Sequence, residues 1–131
     1  VDLQLSGKTA LVTGASAGIG RGIAKALAAE GVKLAVTARR RDRLEELARE
    51  AGATMTIIEA DFMAEGSPQE IAEAALKGLG SVDILVNNAG GSRAFTLEST
   101  EAQWEEAMTL NFTRQRQLAH ALLDPMMKRN W

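Results

Sequence analysis

The sequence predicts an α/β domain: a parallel four-stranded sheet in the order 3-2-1-4 with helices on both faces. Two observations predict it. Four short runs of apolar and β-branched residues alternate with segments whose apolar residues recur at helical spacing, the pattern of parallel strands joined by crossover helices. Between the first run and the first helical segment stand Gly14, Gly18 and Gly20, the kind of turn that leads a buried strand into a helix whose free N–H groups face an anion. Right-handed crossovers make 3-2-1-4 the natural strand order. Ligands of such sheets bind beyond the carboxyl ends of the strands, here between strands one and four.

The elements follow in order. Thr9–Thr13 (TALVT) is a strand covered on both faces. Helix one runs from about Ala17 to Glu30, with Ile19, Ile23 and Leu27 on one face and Gly31 as its stop. Strand two is Lys33–Thr37, and helix two covers about Arg41–Glu50 with Leu44, Leu47 and Ala48 inward. Strand three is Thr54–Glu59. Ser67-Pro68-Gln69-Glu70 reads as a capping box with proline at the first helical position. Helix three then spans about Pro68–Lys77, with Ile71, Ala75 and Leu79 inward, and strand four is Val82–Val86. Thr100 and Gln103 resemble a second cap, opening a long helical region toward Lys128 that is bent and carries Pro125 near its end.

Composition narrows the function classes. The 131 residues suit one domain, and 46% hydrophobic content suits a globular core. A net charge of −2 offers no case for nucleic acid or a membrane surface. There is no cysteine, and His120 is the only histidine, so no zinc cluster or thiol chemistry is expected. With no leader visible, the expected location is cytoplasmic. His120, Trp104 and Trp131 read as packing or surface residues.

Three marked stretches fall at one edge of the expected sheet: the glycine turn, Asp61-Phe62 after strand three and Asn87-Asn88-Ala89-Gly90-Gly91 after strand four. Their convergence favours nucleotide binding over a purely structural turn. From the residues alone, Asp61 also reads as a turn residue beside a helix, Asn87 as a partner for loop backbone and Asn111 as a solvent-facing residue within a helix.

Thr13-Gly14-Ala15-Ser16-Ala17-Gly18-Ile19-Gly20, Asp61, Asn87-Asn88-Ala89-Gly90 and Asn111, in that order and spacing, make the chain resemble the N-terminal half of a short-chain dehydrogenase/reductase, in the style of the 3-oxoacyl-[acyl-carrier-protein] reductases. The resemblance covers essentially all of residues 1–131 and implies the first four strands of a Rossmann-type domain whose later strands are absent here. It implies that Gly14, Gly18 and Gly20 line a pyrophosphate, with Ser16, Ala17 and Ile19 bounding it and the ribose. Asp61 would face an adenine amino group and Phe62 would add backbone contact. Asn88, Ala89 and Gly90 would border the cofactor ribose. Asn111 would be the asparagine of a catalytic tetrad, holding a helix kink and a proton-relay water. The implied reaction is hydride transfer between nicotinamide and a carbonyl or alcohol substrate, by a homotetramer or homodimer. Ser92–Leu97 are expected to border that substrate. The family's tyrosine, lysine and serine would lie further along, and these residues include no tyrosine. The segment alone is therefore expected to bind cofactor at most. A non-catalytic dinucleotide-binding module, serving as sensor or scaffold, is the alternative.

Cofactor type follows from charge. An acid at the end of strand two grips a ribose without a 2′-phosphate. Ala38 stands there, followed by Arg39 and Arg40. Positive charge is unfavourable at a helix start unless it serves a ligand, and guanidinium suits phosphate. NADP(H) is the expected cofactor, with Arg39 as the main phosphate ligand and Arg40 in support; NAD(H) is the second choice.

Overall fold

A computed structural model describes residues 1–91 and 96–131. Four strands form one parallel sheet: β1 (Thr9–Thr13), β2 (Lys33–Ala38), β3 (Thr56–Glu59) and β4 (Ile84–Val86). Their order is β3-β2-β1-β4, as the crossover rule requires. β1 sits in the middle, with Thr13 beside Thr37 on β2 and Val12 beside Val86 on β4. Every residue of β1 is buried, whereas those of β4 are half-buried. The difference is positional, because β4 pairs on one side only among the described residues.

The alternation of side chains in β1 splits the core in two. Ala10 and Val12 face one layer with Val36, Leu44 and Leu47; Leu11 faces the other with Ile71, Leu118 and Leu122. Helices α1 (Gly18–Ala29) and α2 (Arg41–Ala51) cover the first face. Helices α3 (Ser67–Leu79) and α5 (Arg114–Arg129) pack together over the second. Between β4 and α5 lie α4 (Glu101–Met108) and a π-helical segment, Thr109–Thr113, continuous with both. This architecture is a partial Rossmann fold.

Several expectations change in detail. Ile19 is not part of the apolar stripe of α1: it lies in the first helical turn and is 77% exposed, leaving Ile23, Ala24 and Leu27 to pack inward. The expected box at Ser67 does not form. Ser67 is itself helical, Gly66 occupies the cap position, and the buried Ser67 hydroxyl donates to the Phe62 carbonyl at 3.1 Å. The Thr100–Gln103 box does form, with reciprocal bonds of 3.2 and 2.7 Å. β3 and β4 each start two residues later than expected. At β4 the reason is visible: Asp83, one residue before the strand, is turned back onto Thr9. A π segment interrupts the long helical region, and Pro125 is accommodated inside α5. No helix among the described residues is long and apolar enough to cross a membrane.

Candidate functional site

The carboxyl ends of all four strands open onto a cavity of about 610 Å³. It is lined by Thr13, Gly14, Ser16 and Ala17 after β1, by Thr37 to Arg40 at the end of β2, and by Ala60 to Met63 after β3. Ile71 of α3, Asn88 to Gly91 after β4, and Gln103, Glu106, Ala107 and Leu110 from the helical region complete it. The three stretches singled out in the sequence therefore meet in one place. Residues 92–95, most of the stretch expected to border substrate, lie outside the described residues; Thr96 and Leu97 are exposed.

The glycine turn is shaped by what it touches. Gly14 has φ +63, and a Cβ there would lie 3.0 Å from both Ala89 Cα and Asn88 Nδ2. Gly20 is buried, and a Cβ would overlap the Gly14 carbonyl oxygen and the Asn88 side chain. Gly20 therefore lets α1 pack against the turn. Gly18, Ile19 and Gly20 do not line the cavity, whereas Gly14, Ser16 and Ala17 do. No side chain caps the N-terminus of α1, and its first turn carries no acid. Its orphan N–H groups and dipole favour an anion there.

Thr13 joins the turn to the β4 loop. Its hydroxyl donates to Val86 O at 3.3 Å and accepts from the backbone N–H groups of Asn88 (3.0 Å) and Ala89 (2.8 Å). The Asn88 side chain donates to Gly14 O at 3.2 Å. Thr37, beside Thr13 in register, differs: its hydroxyl is buried with no partner among the described residues. Asn87 donates to the Gln115 carbonyl at 3.3 Å, so it bonds helix backbone and not its own loop.

Asn111 sits in the π segment. Its amide donates to Gly91 O (2.7 Å) and Ala107 O (2.9 Å), and its oxygen accepts from Gly91 N at 3.1 Å. The extra residue of a π turn frees backbone carbonyls, and the Ala107 carbonyl is the one Asn111 takes up. The side chain also lies where a Cβ on Gly90 would stand, 2.7 Å from its oxygen. One helical turn on, Gln115 Nε2 donates to Ala89 O.

At the other end of the cavity the two arginines differ. Arg40 forms a bidentate pair with Asp42, at 2.8 and 3.3 Å. That hydrogen bond is the main reason the Asp42 carboxyl lies below its ordinary value. Arg39 lines the cavity, is exposed and has no ion-pair partner among the described residues. Asp61 Oδ1 accepts from Met63 N at 2.9 Å, closing a turn at the cavity wall, while Phe62 is buried beneath it.

Sequence reasoning assigned no role to Thr13, Arg114 or Gln115. Thr13 opens the glycine signature, but its bonds to the β4 loop were hidden because it reads as an ordinary β-branched strand residue. The run Arg114-Gln115-Arg116-Gln117 is strongly polar for the start of a packed helix, and that was the available signal. His120 is exposed, as is Trp131, whose ring lies under the Lys8 ammonium at 4.1 Å. No group of metal-ligating residues occurs among those described.

A parallel sheet with a glycine turn and a cavity at its carboxyl edge defines a nucleotide-binding class of α/β fold. Comparison with known proteins narrows the class. The family model described as short chain dehydrogenase matches residues 8–131. The chain belongs to that family. It is 33% identical to a 3-oxoacyl-[acyl-carrier-protein] reductase of Aquifex aeolicus over 136 aligned positions, covering 100% of this chain and 55% of the relative. It superimposes with a TM-score of 0.92 on L-sorbose reductase of Gluconobacter frateurii, solved with NADPH and L-sorbose, at 34% identity over 98% of this chain and 51% of that one. The same score relates it to a 7α-hydroxysteroid dehydrogenase solved with NADH, at 32% identity over 98% and 51%. The chain spans about half the length of the curated relatives it matches.

Proposed function

We propose that residues 1–131 form the dinucleotide-binding part of an NADP(H)-preferring oxidoreductase acting on a carbonyl or alcohol substrate, and that they are the N-terminal portion of a longer domain. One observation carries the reading. The cavity is lined by Ala17, at the uncapped N-terminus of α1, and by Arg39, whose guanidinium has no ion-pair partner among the described residues, two anion sites for a ligand with two separate phosphate groups. The residues fit such a ligand. Gly14, which lines the cavity, lets the β4 loop close against the turn where a Cβ would not fit, and the Thr37 hydroxyl in the wall has no partner among the described residues.

Each residue then has a task. The turn Gly14–Ala17 and the first N–H groups of α1, at Gly18, Ile19 and Gly20, hold the pyrophosphate. Arg39 binds the 2′-phosphate, while Arg40 spends its fork on Asp42 and contributes long-range charge. Asp61 and the Phe62 backbone read the base. Asn88, Ala89 and Gly90 form the wall beside the ribose, held by Thr13 and Gln115. Asn111 holds that wall to the π segment. The nicotinamide ring supplies or accepts the hydride when the cofactor is bound. Proton transfer at the substrate oxygen needs an acid that residues 1–131 do not contain as tyrosine, which supports the longer parent. A cytoplasmic homodimer or homotetramer is the assembly this reading carries.

Titration of the 131-residue protein with NADPH and NADH tests the proposal. NADPH should bind more tightly, and Arg39→Asp should cost NADPH about 10- to 100-fold, the worth of a charged hydrogen-bonded pair, and NADH little. Equal losses for both would remove the NADP(H) assignment. Hydride transfer by this segment itself would overturn the division of labour, and cofactor binding without turnover in the full-length parent would favour a sensor or scaffold.

A further inference from the structure

Arg114, at the start of α5, reaches across to the turn after β3. Its Nη2 donates to Met63 O at 3.0 Å and its Nη1 to Gln117 Oε1 at 3.0 Å, while Nε is buried without a partner among the described residues. No carboxylate pairs with this half-buried cation among the described residues. Leaving a charged donor buried and unpaired is costly, so the site calls for an explanation beyond helix packing.

The far end of the bond supplies one. Met63 is held on both sides of its Cα: its carbonyl, in the peptide to Ala64, accepts from Arg114, and its N–H, in the peptide from Phe62, donates to Asp61 Oδ1 at 2.9 Å. The other bonds of the turn from Asp61 onward are internal, from Ala64 N to Asp61 O and from Ser67 to Ala64 O and Phe62 O, while Ala60 N donates to the β2 carbonyl of Ala38 at 3.0 Å. Among the described residues, Arg114 is the one side chain from a distant element that hydrogen-bonds this loop. Asp61 lines the cavity, and its second carboxylate oxygen has no partner among the described residues. The Asp61 carboxylate is thus aimed by the N–H of a residue whose carbonyl Arg114 anchors. A guanidinium does this better than a single-point donor, because its planar fork anchors one arm on Gln117 while the other holds Met63 O.

We propose that Arg114 is a positioning residue for base recognition: it fixes the Asp61–Met63 turn so that the free Asp61 oxygen accepts an N–H from the exocyclic amino group of a bound purine. The inference rests on the dinucleotide reading above, with Arg114 itself outside the cavity and touching no ligand.

The test compares NADP⁺ with its hypoxanthine analogue, in which the amino group is replaced by oxygen, by calorimetric titration of the 131-residue protein and its variants. The wild-type protein should prefer the adenine form. Arg114→Met should lower that preference about three- to thirty-fold, the range for a residue acting through one neighbour, and leave affinity for the hypoxanthine form within about twofold. Arg114→Lys should restore part of the preference. Should Arg114→Met fail to fold, Arg114→Lys alone should show an intermediate preference together with faster hydrogen exchange at the Met63 amide. A preference unchanged by either variant, or equal losses for both ligands, overturns the inference and leaves the dinucleotide reading standing. A wild-type protein that binds neither ligand overturns the dinucleotide reading itself.

Discussion

The two ends of β1 are tied to β4 by the same residue type and to opposite effect. At the amino end the Thr9 hydroxyl and N–H donate to Asp83 Oδ2 at 3.2 and 3.1 Å, and Arg129 Nε closes the other carboxylate oxygen at 2.9 Å. At the carboxyl end the Thr13 hydroxyl holds Val86, Asn88 and Ala89, and the loop it holds is the wall of an open cavity. The first knot consumes every charge it contains. The Asp83 side chain is 2% exposed. Burial acts most strongly and pushes its pKa upward, yet the Thr9 and Arg129 hydrogen bonds outweigh it and hold the carboxyl below its ordinary value. The second knot uses neutral groups and leaves Thr37 and Arg39 uncommitted beside it. Stability is concentrated at one edge and binding capacity at the other.

The contrast can be broken from either side. Asp83→Ala should have the largest effect on stability. It strips three donors of their acceptor and should cost about 3 kcal/mol, a fall of about 10 °C in Tm in calorimetry, with dinucleotide affinity unchanged below the melt. Thr13→Val comes next. It leaves Ala89 N without an acceptor and Asn88 N with only Val86 O, so about 2 kcal/mol is expected in a denaturant titration. Here affinity should fall as well, because the wall moves. If Thr13→Val spares binding, or Asp83→Ala abolishes it, the separation of edges is wrong.

The smallest effect is a surface control. Arg21 and Lys25 of α1 reach Glu50 of α2 at 2.6 and 2.7 Å. The hydrogen bonds from Lys25 and then Arg21 lower the Glu50 pKa to about 2 from an ordinary 4.5. A lowered folded value means stability that is fully present above pH 4.5 and is lost as pH falls toward about 2. In acid melts Glu50→Gln should therefore match the wild type near pH 2 and fall behind it at neutral pH. That gap should shrink in high salt, whereas the Asp83 deficit at neutral pH should not.

Much of this was legible in the order of the residues. Strand positions from Leu11 to Val36 carry their burial in their composition, and α2 shows its inner face through Leu44 and Leu47. Gly14 could be read because a turn between strand and helix demands glycine chemistry. Ile19 and Ser67 misled for one reason: both sit at helix starts, where periodicity and cap motifs describe the helix but not the loop that meets it. Ile19 lies beyond the packed layer, and the Ser67 hydroxyl found Phe62 O before it could cap.

By itself the sequence determined the element order, the parallel topology, the family and the edge of the sheet at which the cavity-lining residues gather. Those depend on local period and on connection handedness, both written into neighbouring residues. Only the tertiary structure decided which polar groups are spent and which are free. Among the described residues Arg40 is paired while Arg39 is not, Thr13 is saturated while Thr37 is not, and Arg114 holds Met63 across 51 positions of chain. Those outcomes depend on distances between atoms remote in sequence, which exist only once the sheet has brought its loops together.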